Sequence, residues 1–275
     1  MKEHDIRKMV REGYAGIATA GGSCCGPSGS CCGDGSHIQS ISRKVGYSDE
    51  DMNNVPEGAN LGLGCGNPIA LASLREGETV VDLGAGAGFD CFLAAKIVGK
   101  TGKVIGVDMT PEMIEKARLN AKNGDYSQVE FRLGEIEHLP VADNTADVII
   151  SNCVINLSPE KSNVFSEAYR VLKPGGRLMV SDIVLNRPLP DSVRNSVAAY
   201  IGCLAGASMK EEYLDAIRVA GFKEVDTQDE TLYPIDYILN DPTVRSVMGE
   251  LNISPEQLVK EGSPVVSLKV SAIKP

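Results

Sequence analysis

Cysteine is the most reactive residue type in this chain, and its distribution along the sequence is uneven. Four of the eight cysteines crowd into positions 24–32, while Cys65, Cys91, Cys153 and Cys203 stand apart. Glycine flanks Cys65 on both sides and precedes Cys203. Cys91 has apolar neighbours, and we expect it in the core. Soft thiolates select thiophilic ions, so the other separate cysteines indicate a soft, thiol-seeking ligand.

A glycine-rich segment, Asp82-Leu83-Gly84-Ala85-Gly86-Ala87-Gly88, closes a short apolar run. Its three glycines let the backbone turn sharply between a strand and a helix and approach a ligand closely. Asp108 lies 20 residues beyond Gly88, at the end of the next predicted strand. A carboxylate there can accept hydrogen bonds from ribose hydroxyls. The spacing G-x-G-x-G departs from the dinucleotide pattern G-x-G-x-x-G, so a nucleoside cofactor of another kind is indicated.

Composition narrows the possible partners. The 275 residues carry a net charge of −10 with a pI of about 4.9. Such an acidic surface repels phosphate backbones, which argues against nucleic acid and polyanionic membranes as partners. No apolar stretch reaches the ~18 residues that span a bilayer, and the first residues do not resemble a signal peptide. We therefore expect a cytoplasmic protein, in which eight cysteines do not form a disulfide framework.

Strand and helix patterns alternate along most of the chain, which predicts an α/β fold with a doubly wound, mostly parallel seven-stranded sheet. The predicted strands are 80–83, 103–108, 129–133, 146–151, 177–183, 222–227 and 265–273. The predicted helices are 4–18, 36–45, 67–74, 89–98, 111–123 and 162–171. Residues 173–176 read as a tight turn, 19–35 as a flexible loop, 48–60 as turn-rich and 185–220 as largely helical. We expect three regions: an N-terminal extension (1–60), a core (61–184) and a roof with the last strands (185–275).

Four segments resemble the class I S-adenosylmethionine-dependent methyltransferases. They are Val81–Gly88, Val107-Asp108-Met109, Gly134-Glu135-Ile136-Glu137 and Leu172-Lys173-Pro174-Gly175-Gly176. The resemblance implies that Asp108 binds the ribose of S-adenosylmethionine, that Met109 packs on adenine, and that Glu135 and Ile136 border the base. The methionine end would be held by Asp82, Gly84, Gly86 and Gly88, and Asn152 would also contact the cofactor. The Asn/Asp-Pro-Pro-aromatic motif of amide and base methyltransferases is absent from residues 151–157.

Three further segments resemble the arsenite S-adenosylmethyltransferases. They are Leu63-Gly64-Cys65-Gly66-Asn67-Pro68, Ser151-Asn152-Cys153-Val154-Ile155-Asn156-Leu157 and the region around Cys203. The resemblance implies that Cys153 and Cys203 bind trivalent arsenic, and that Cys65 completes a four-thiol set with an N-terminal cysteine. We take Cys32 as that cysteine because it is nearest to Cys65 in sequence. Two Cys-Cys doublets stand where the family needs one thiol.

The resemblance also implies a redox cycle. Methylation oxidises arsenic to the pentavalent state, and a disulfide between Cys65 and the N-terminal loop would return it to trivalent. Thioredoxin or a small thiol would then reset the enzyme. Two alternatives stay open: a C-methyltransferase acting on a quinone-like or lipid ring with structural cysteines, and a cysteine-rich metal- or metalloid-binding protein without catalysis. The two doublets could also hold zinc, although their C-C-x5-C-C spacing lacks the C-x2-C of zinc ribbons.

Overall fold

The computed structural model describes residues 3–20, 35–189, 191–194, 196–232 and 265–275. Seven strands form one sheet in the order β3-β2-β1-β4-β5-β7-β6. They are β1 (Thr79–Leu83), β2 (Lys103–Asp108), β3 (Val129–Leu133), β4 (Ala146–Asn152), β5 (Leu172–Leu185), β6 (Lys223–Leu232) and β7 (Val265–Ile273). Strands β1 to β5 pair in parallel, whereas β7 runs antiparallel between β5 and β6. The predicted sheet is confirmed.

Helices cover both faces of this sheet. In the described ranges they are α1 (Glu3–Ala20), α2 (Gly35–Lys44), α3 (Asp49–Asn53), α4 (Pro68–Ala72), α5 (Phe89–Val98), α6 (Pro111–Asn123), α7 (Lys161–Val171), α8 (Asp191–Arg194), α9 (Val197–Ile201) and α10 (Lys210–Val219). In the same ranges, one 3-10 turn spans Ile155–Leu157. None of the helices within these ranges is both long and apolar enough to cross a membrane.

Apolar side chains from both faces of the sheet bury its central strands. Phe165 of α7 meets Tyr213 of α10 edge-to-face, with ring centroids 5.3 Å apart, on one face. On the other face, Phe92 of α5 packs against Phe131 of β3 at 5.8 Å. Strands buried on both sides need continuous apolar runs such as Val80-Val81, which is why those runs were readable in the sequence.

Several local predictions were wrong in detail. Residues 173–176, predicted as a turn, belong to β5, although Gly175 has a φ of 79° and the register with β4 shifts nearby. The segment predicted as turn-rich contains α3, which begins at a capping box formed by Ser48 and Asp51. The predicted helical region 185–220 consists of three separate helices in its described part. Most of the predicted loop 19–35 lies outside the described residues.

Candidate functional site

A cavity lies outside the carboxyl ends of β1, β2 and β4, beneath α1 and the segment 59–64. Its wall combines the glycine-rich loop with the strand-end carboxylate of Asp108, an arrangement that suits a nucleoside cofactor. Ligands of doubly wound sheets bind at these strand ends. The structure brings most predicted site residues into the cavity wall, namely Asp82, Gly84, Gly86, Asp108, Met109, Ile136, Asn152 and Cys153.

Two predicted cofactor residues do not line the cavity. A Cβ atom at Gly88 would lie 2.7 Å from the rings of Phe131 and Phe92, so this glycine faces the core. Its φ of 96° starts helix α5 in the left-handed region, where glycine is favoured. The carboxylate of Glu135 instead faces α1 and forms ion pairs with Arg7 at 3.6 Å and Arg11 at 3.3 Å.

The carboxylate of Asp108 shapes the glycine-rich loop. Its Oδ2 accepts a hydrogen bond from the Gly86 amide at 2.9 Å, and its Oδ1 accepts one from the Thr110 amide at 2.8 Å. Burial raises the pKa of Asp108, and these two amides oppose the rise. A Cβ atom at Gly86 would meet nothing within 4 Å, so this part of the loop presents bare backbone to open space. Bare backbone beside a strand-end carboxylate fits a nucleoside cofactor.

Asn152 ties together segments that are far apart in sequence. Its Nδ2 donates to the Tyr47 hydroxyl and the Gly66 carbonyl, both at 2.9 Å, and to Asp90 at 3.1 Å. Its Oδ1 accepts from the Cys65 amide at 3.1 Å. One amide side chain therefore fixes the N-terminal extension and the Cys65 segment against the end of β4.

Sequence reasoning missed Tyr47 and Asp90. The Tyr47 hydroxyl donates to Asp90 Oδ1 at 2.6 Å, and both side chains line the cavity. Burial raises the pKa of Asp90 to about 6, and it raises the pKa of neighbouring Asp82 well above its usual value. Bound positive charge would lower both pKa values. The sequence feature that could have identified Asp90 is its position in the first turn of a helix that follows a glycine-rich loop.

The three separate cysteines predicted for the site lie together in one apolar cluster with Leu157, Tyr200 and other side chains. Cys65 and Cys153 form a disulfide with Cα atoms 5.7 Å apart, and the Cys203 thiol donates to the Cys153 carbonyl at 2.9 Å. Cys153 and Cys203 have φ values of 60° and 64°, which non-glycine residues rarely adopt. Such strain concentrates at functional sites. Cys91 is a buried core thiol as predicted, and Cys32 lies outside the described residues.

The disulfide differs from the predicted pairing of Cys65 with the N-terminal loop. The Cys65 segment packs directly against the ends of β4 and β5. The Cys65 sulfur lies 3.6 Å from the Ser181 carbonyl, which accepts a hydrogen bond from the Cys153 amide at 2.8 Å. A shared contact with one carbonyl holds the two cysteines close enough to bond.

A buried carboxylate that the sequence did not reveal lies beside this disulfide. One carboxylate oxygen of Asp182 and the sulfur atoms of Cys65 and Cys153 all lie within 4.8 Å of one another. Oδ1 accepts from the Asn156 amide at 2.7 Å and from the Ile183 backbone at 3.0 Å. Burial raises the pKa of Asp182 to about 7 despite these donors.

Asp182→Asn is expected to remove part of the pH dependence of stability. The folded state keeps a proton on Asp182 up to about pH 7, whereas an unfolded aspartate releases it near pH 4. The proton on Asp182 stabilises the folded state fully below pH 4, and this stabilisation is lost as the pH rises toward 7. In urea unfolding of the oxidised protein, the variant should gain about 2 kcal/mol over wild type between pH 5 and pH 7. An equal difference at both pH values would contradict this expectation.

Comparison with known proteins agrees with this geometry. The family model described as "Methyltransferase domain" matches residues 74–221, just over half of the chain. An arsenite methyltransferase of Halobacterium salinarum is 55% identical over 81% of this chain and 58% of its own length. The human arsenite methyltransferase is 38% identical over 63% of this chain and 48% of its own. The chain thus spans about half the length of these curated relatives.

A solved structure gives the same indication. The crystal structure of CrArsM, an arsenic(III) S-adenosylmethionine methyltransferase from Chlamydomonas reinhardtii, matches with a TM-score of 0.61 and 36% identity. The match covers 84% of this chain and 72% of that one. With its sheet, its cavity at the strand ends and its converging cysteines, the chain belongs to the arsenite methyltransferase family within the methyltransferase-domain proteins.

Proposed function

We propose that this protein transfers the methyl group of S-adenosylmethionine to trivalent arsenic held by cysteine sulfurs. The observation that carries the proposal is the convergence of Cys65 and Cys203 on Cys153, which lines the same cavity as Asp108 and Gly86. The relatives named arsenite methyltransferase support the same substrate. Soft sulfur ligands favour arsenic over hard cations.

The residues around the cavity divide the work of binding. Asp108 and the glycine-rich loop would hold the ribose and the amino-acid part of the cofactor, and Met109 and Ile136 would pack on the base. Asp82 and Asp90 are buried carboxylates in the cavity wall, and a positive charge bound beside them would lower their raised pKa values. The cofactor supplies a methyl group on a sulfonium sulfur, which departs as a neutral thioether.

The thiols would position the acceptor. Arsenic bound by three sulfurs keeps a lone pair, and it carries no proton that a general base would have to remove. Catalysis then rests on holding two reactants in line. After methylation, two arsenic–sulfur bonds break and their sulfurs join, which returns two electrons to arsenic and restores the trivalent state. The Cys65–Cys153 disulfide has the pairing that this step would produce, and an external dithiol such as thioredoxin would reduce it.

The regions expected from the sequence acquire roles in this proposal. Residues 61–184 would bind the cofactor, and residues 185–275 would carry Cys203 over the thiol site. Residues 1–60 would cover the cavity through α1, and their cysteine-rich segment, with Cys32, would pass electrons between the site and the external thiol.

Product analysis with an isotopically labelled methyl group tests the proposal. Reduced protein is mixed with arsenite, methyl-labelled S-adenosylmethionine and a dithiol, and arsenic species are resolved by mass. A parallel reaction offers a quinone-like acceptor in place of arsenite. Labelled arsenicals from wild type but not from Cys203→Ser support the proposal. Label on the quinone-like acceptor alone would favour the C-methyltransferase, and arsenite binding without cofactor binding would favour a metalloid-binding protein.

A further inference from the structure

Helix α1 presents one face to the cavity, and that face reaches both ends of the site. Arg7, Val10 and Tyr14 line the cavity at intervals of three and four residues, which place them on one side of a helix. Arg7 faces the loop 134–137, which the proposed function assigns to the adenine. Tyr14 lies at the opposite end, next to the roof that carries Cys203.

Arg7 is held by three carboxylates from two loops. Its guanidinium lies 3.4 Å from Glu137 and 3.6 Å from Glu135, and it also pairs with Glu160. The Arg7 side chain is only 15% exposed, and Glu137 accepts a further bond from Ser158 at 2.6 Å. Charge-assisted bonds to a partly buried guanidinium are among the stronger polar contacts in proteins. The position of α1 therefore depends on the loop that would contact the base.

Tyr14 connects the same helix to the thiols. Its hydroxyl donates to the Ile201 carbonyl at 3.4 Å and lies 4.0 Å from the Cys203 sulfur. At the preceding residue of α1, a Cβ atom at Gly13 would lie 2.9 Å from the Ile201 side chain, so α1 and α9 are in close contact. Any shift of α1 is therefore transmitted to the segment that ends in Cys203.

We propose that Tyr14 is a positioning residue for Cys203, and that α1 couples cofactor binding at the Arg7 end to arsenic binding at the Tyr14 end. This inference rests on the proposed function. Cys203 gives up its proton when it binds arsenic, and the Tyr14 hydroxyl then turns its one hydrogen from the Ile201 carbonyl to the sulfur and orients it. Cofactor contacts that order the loop 134–137 fix the position of α1 through Arg7. Helix α1 then fixes the position of Cys203. Such coupling is reciprocal between the two ligands.

Calorimetry on the protein reduced with a phosphine measures the coupling, because a phosphine leaves no competing thiol in solution. Wild type should bind arsenite at least about fivefold more tightly with S-adenosylhomocysteine present than without it. In Tyr14→Phe this factor should fall below twofold, arsenite affinity in the absence of cofactor should drop several-fold, and cofactor affinity alone should stay unchanged. Tyr126→Phe is the matched control: its hydroxyl also donates to a backbone carbonyl, that of Asn54 at 3.2 Å, away from the cavity.

Arg7→Met provides an independent test from the other end of the helix. Although Arg7 touches none of the thiols, the variant should lose the coupling and bind cofactor more weakly, with arsenite affinity in the absence of cofactor unchanged. Coupling equal to that of wild type in Tyr14→Phe or in Arg7→Met would overturn the inference, as would a wild type without coupling; methylation of arsenic would still stand. If wild type bound no arsenite, the proposed function itself would fail, and this inference with it.

Discussion

Cys153→Ser is expected to lower arsenic methylation at least about 100-fold, because misplacing a reactant by even an ångström has an effect of this size. A serine hydroxyl is a poor ligand for a soft ion, so one of three proposed arsenic bonds is lost. The variant also lacks the partner that Cys65 bonds in the structure. Affinity for S-adenosylhomocysteine should stay within about twofold, since the hydrogen bonds of the cofactor loop do not involve this sulfur.

The measurement is the rate of labelled arsenical formation, with calorimetry of the cofactor alongside it. Cys91→Ser is the matched thiol control. Cys91 is fully buried outside the thiol cluster and donates to Asp82 at 3.2 Å, a bond that a serine hydroxyl can keep. Equal methylation by Cys153→Ser and wild type would remove the three thiols from the acceptor site.

Asp108→Asn is expected to weaken S-adenosylmethionine binding by about 10- to 100-fold, the equivalent of losing one hydrogen bond to a charged group. Both carboxylate oxygens of Asp108 accept backbone amides, from Gly86 and Thr110. An asparagine has one acceptor oxygen, so its NH2 group would face one of those amides. The glycine-rich loop would then lose its shape as well as its carboxylate.

Equilibrium binding of cofactor and of arsenite separates this effect from unfolding. Arsenite affinity in the absence of cofactor should match that of wild type in the reduced variant. Asp125→Asn is a suitable control, because Asp125 has a φ of 56°, which asparagine tolerates, and lies in a turn after α6. Unchanged cofactor affinity in Asp108→Asn would show that the nucleoside lies elsewhere.

The central elements were predictable because short-range signals mark their limits. Gly88 and Gly99 bound α5, and Pro111 and Gly124 bound α6, so both helices run as predicted from the sequence. Helix α3 was missed because its five residues, of which only Met52 is apolar, show no periodicity. The helix depends on the reciprocal hydrogen bonds between Ser48 and Asp51, which a pattern of apolar positions does not reveal.

The same distinction between local signals and tertiary packing applies to the residues of the site. Asp108 and Cys153 were predictable because parallel strands bring their carboxyl ends to one edge, and both residues lie at such ends. The Tyr47–Asp90 bond joins residues 43 positions apart, and Asp182 looks like an ordinary residue within a strand. Whether Cys65 pairs with Cys153 depends on a Cα distance of 5.7 Å that only tertiary packing sets.

The left-handed backbone at Cys153 and Cys203 has a consequence for how this protein would respond to selection. In the reduced protein, where the Cys65–Cys153 bond is absent, glycine would relieve about 1 kcal/mol of conformational strain at each position. A library of the reduced protein sorted for heat resistance alone should therefore enrich glycine at both positions. A library sorted for survival on arsenic should retain cysteine at both positions. The residue found there would therefore show whether heat stability or arsenic resistance had been selected.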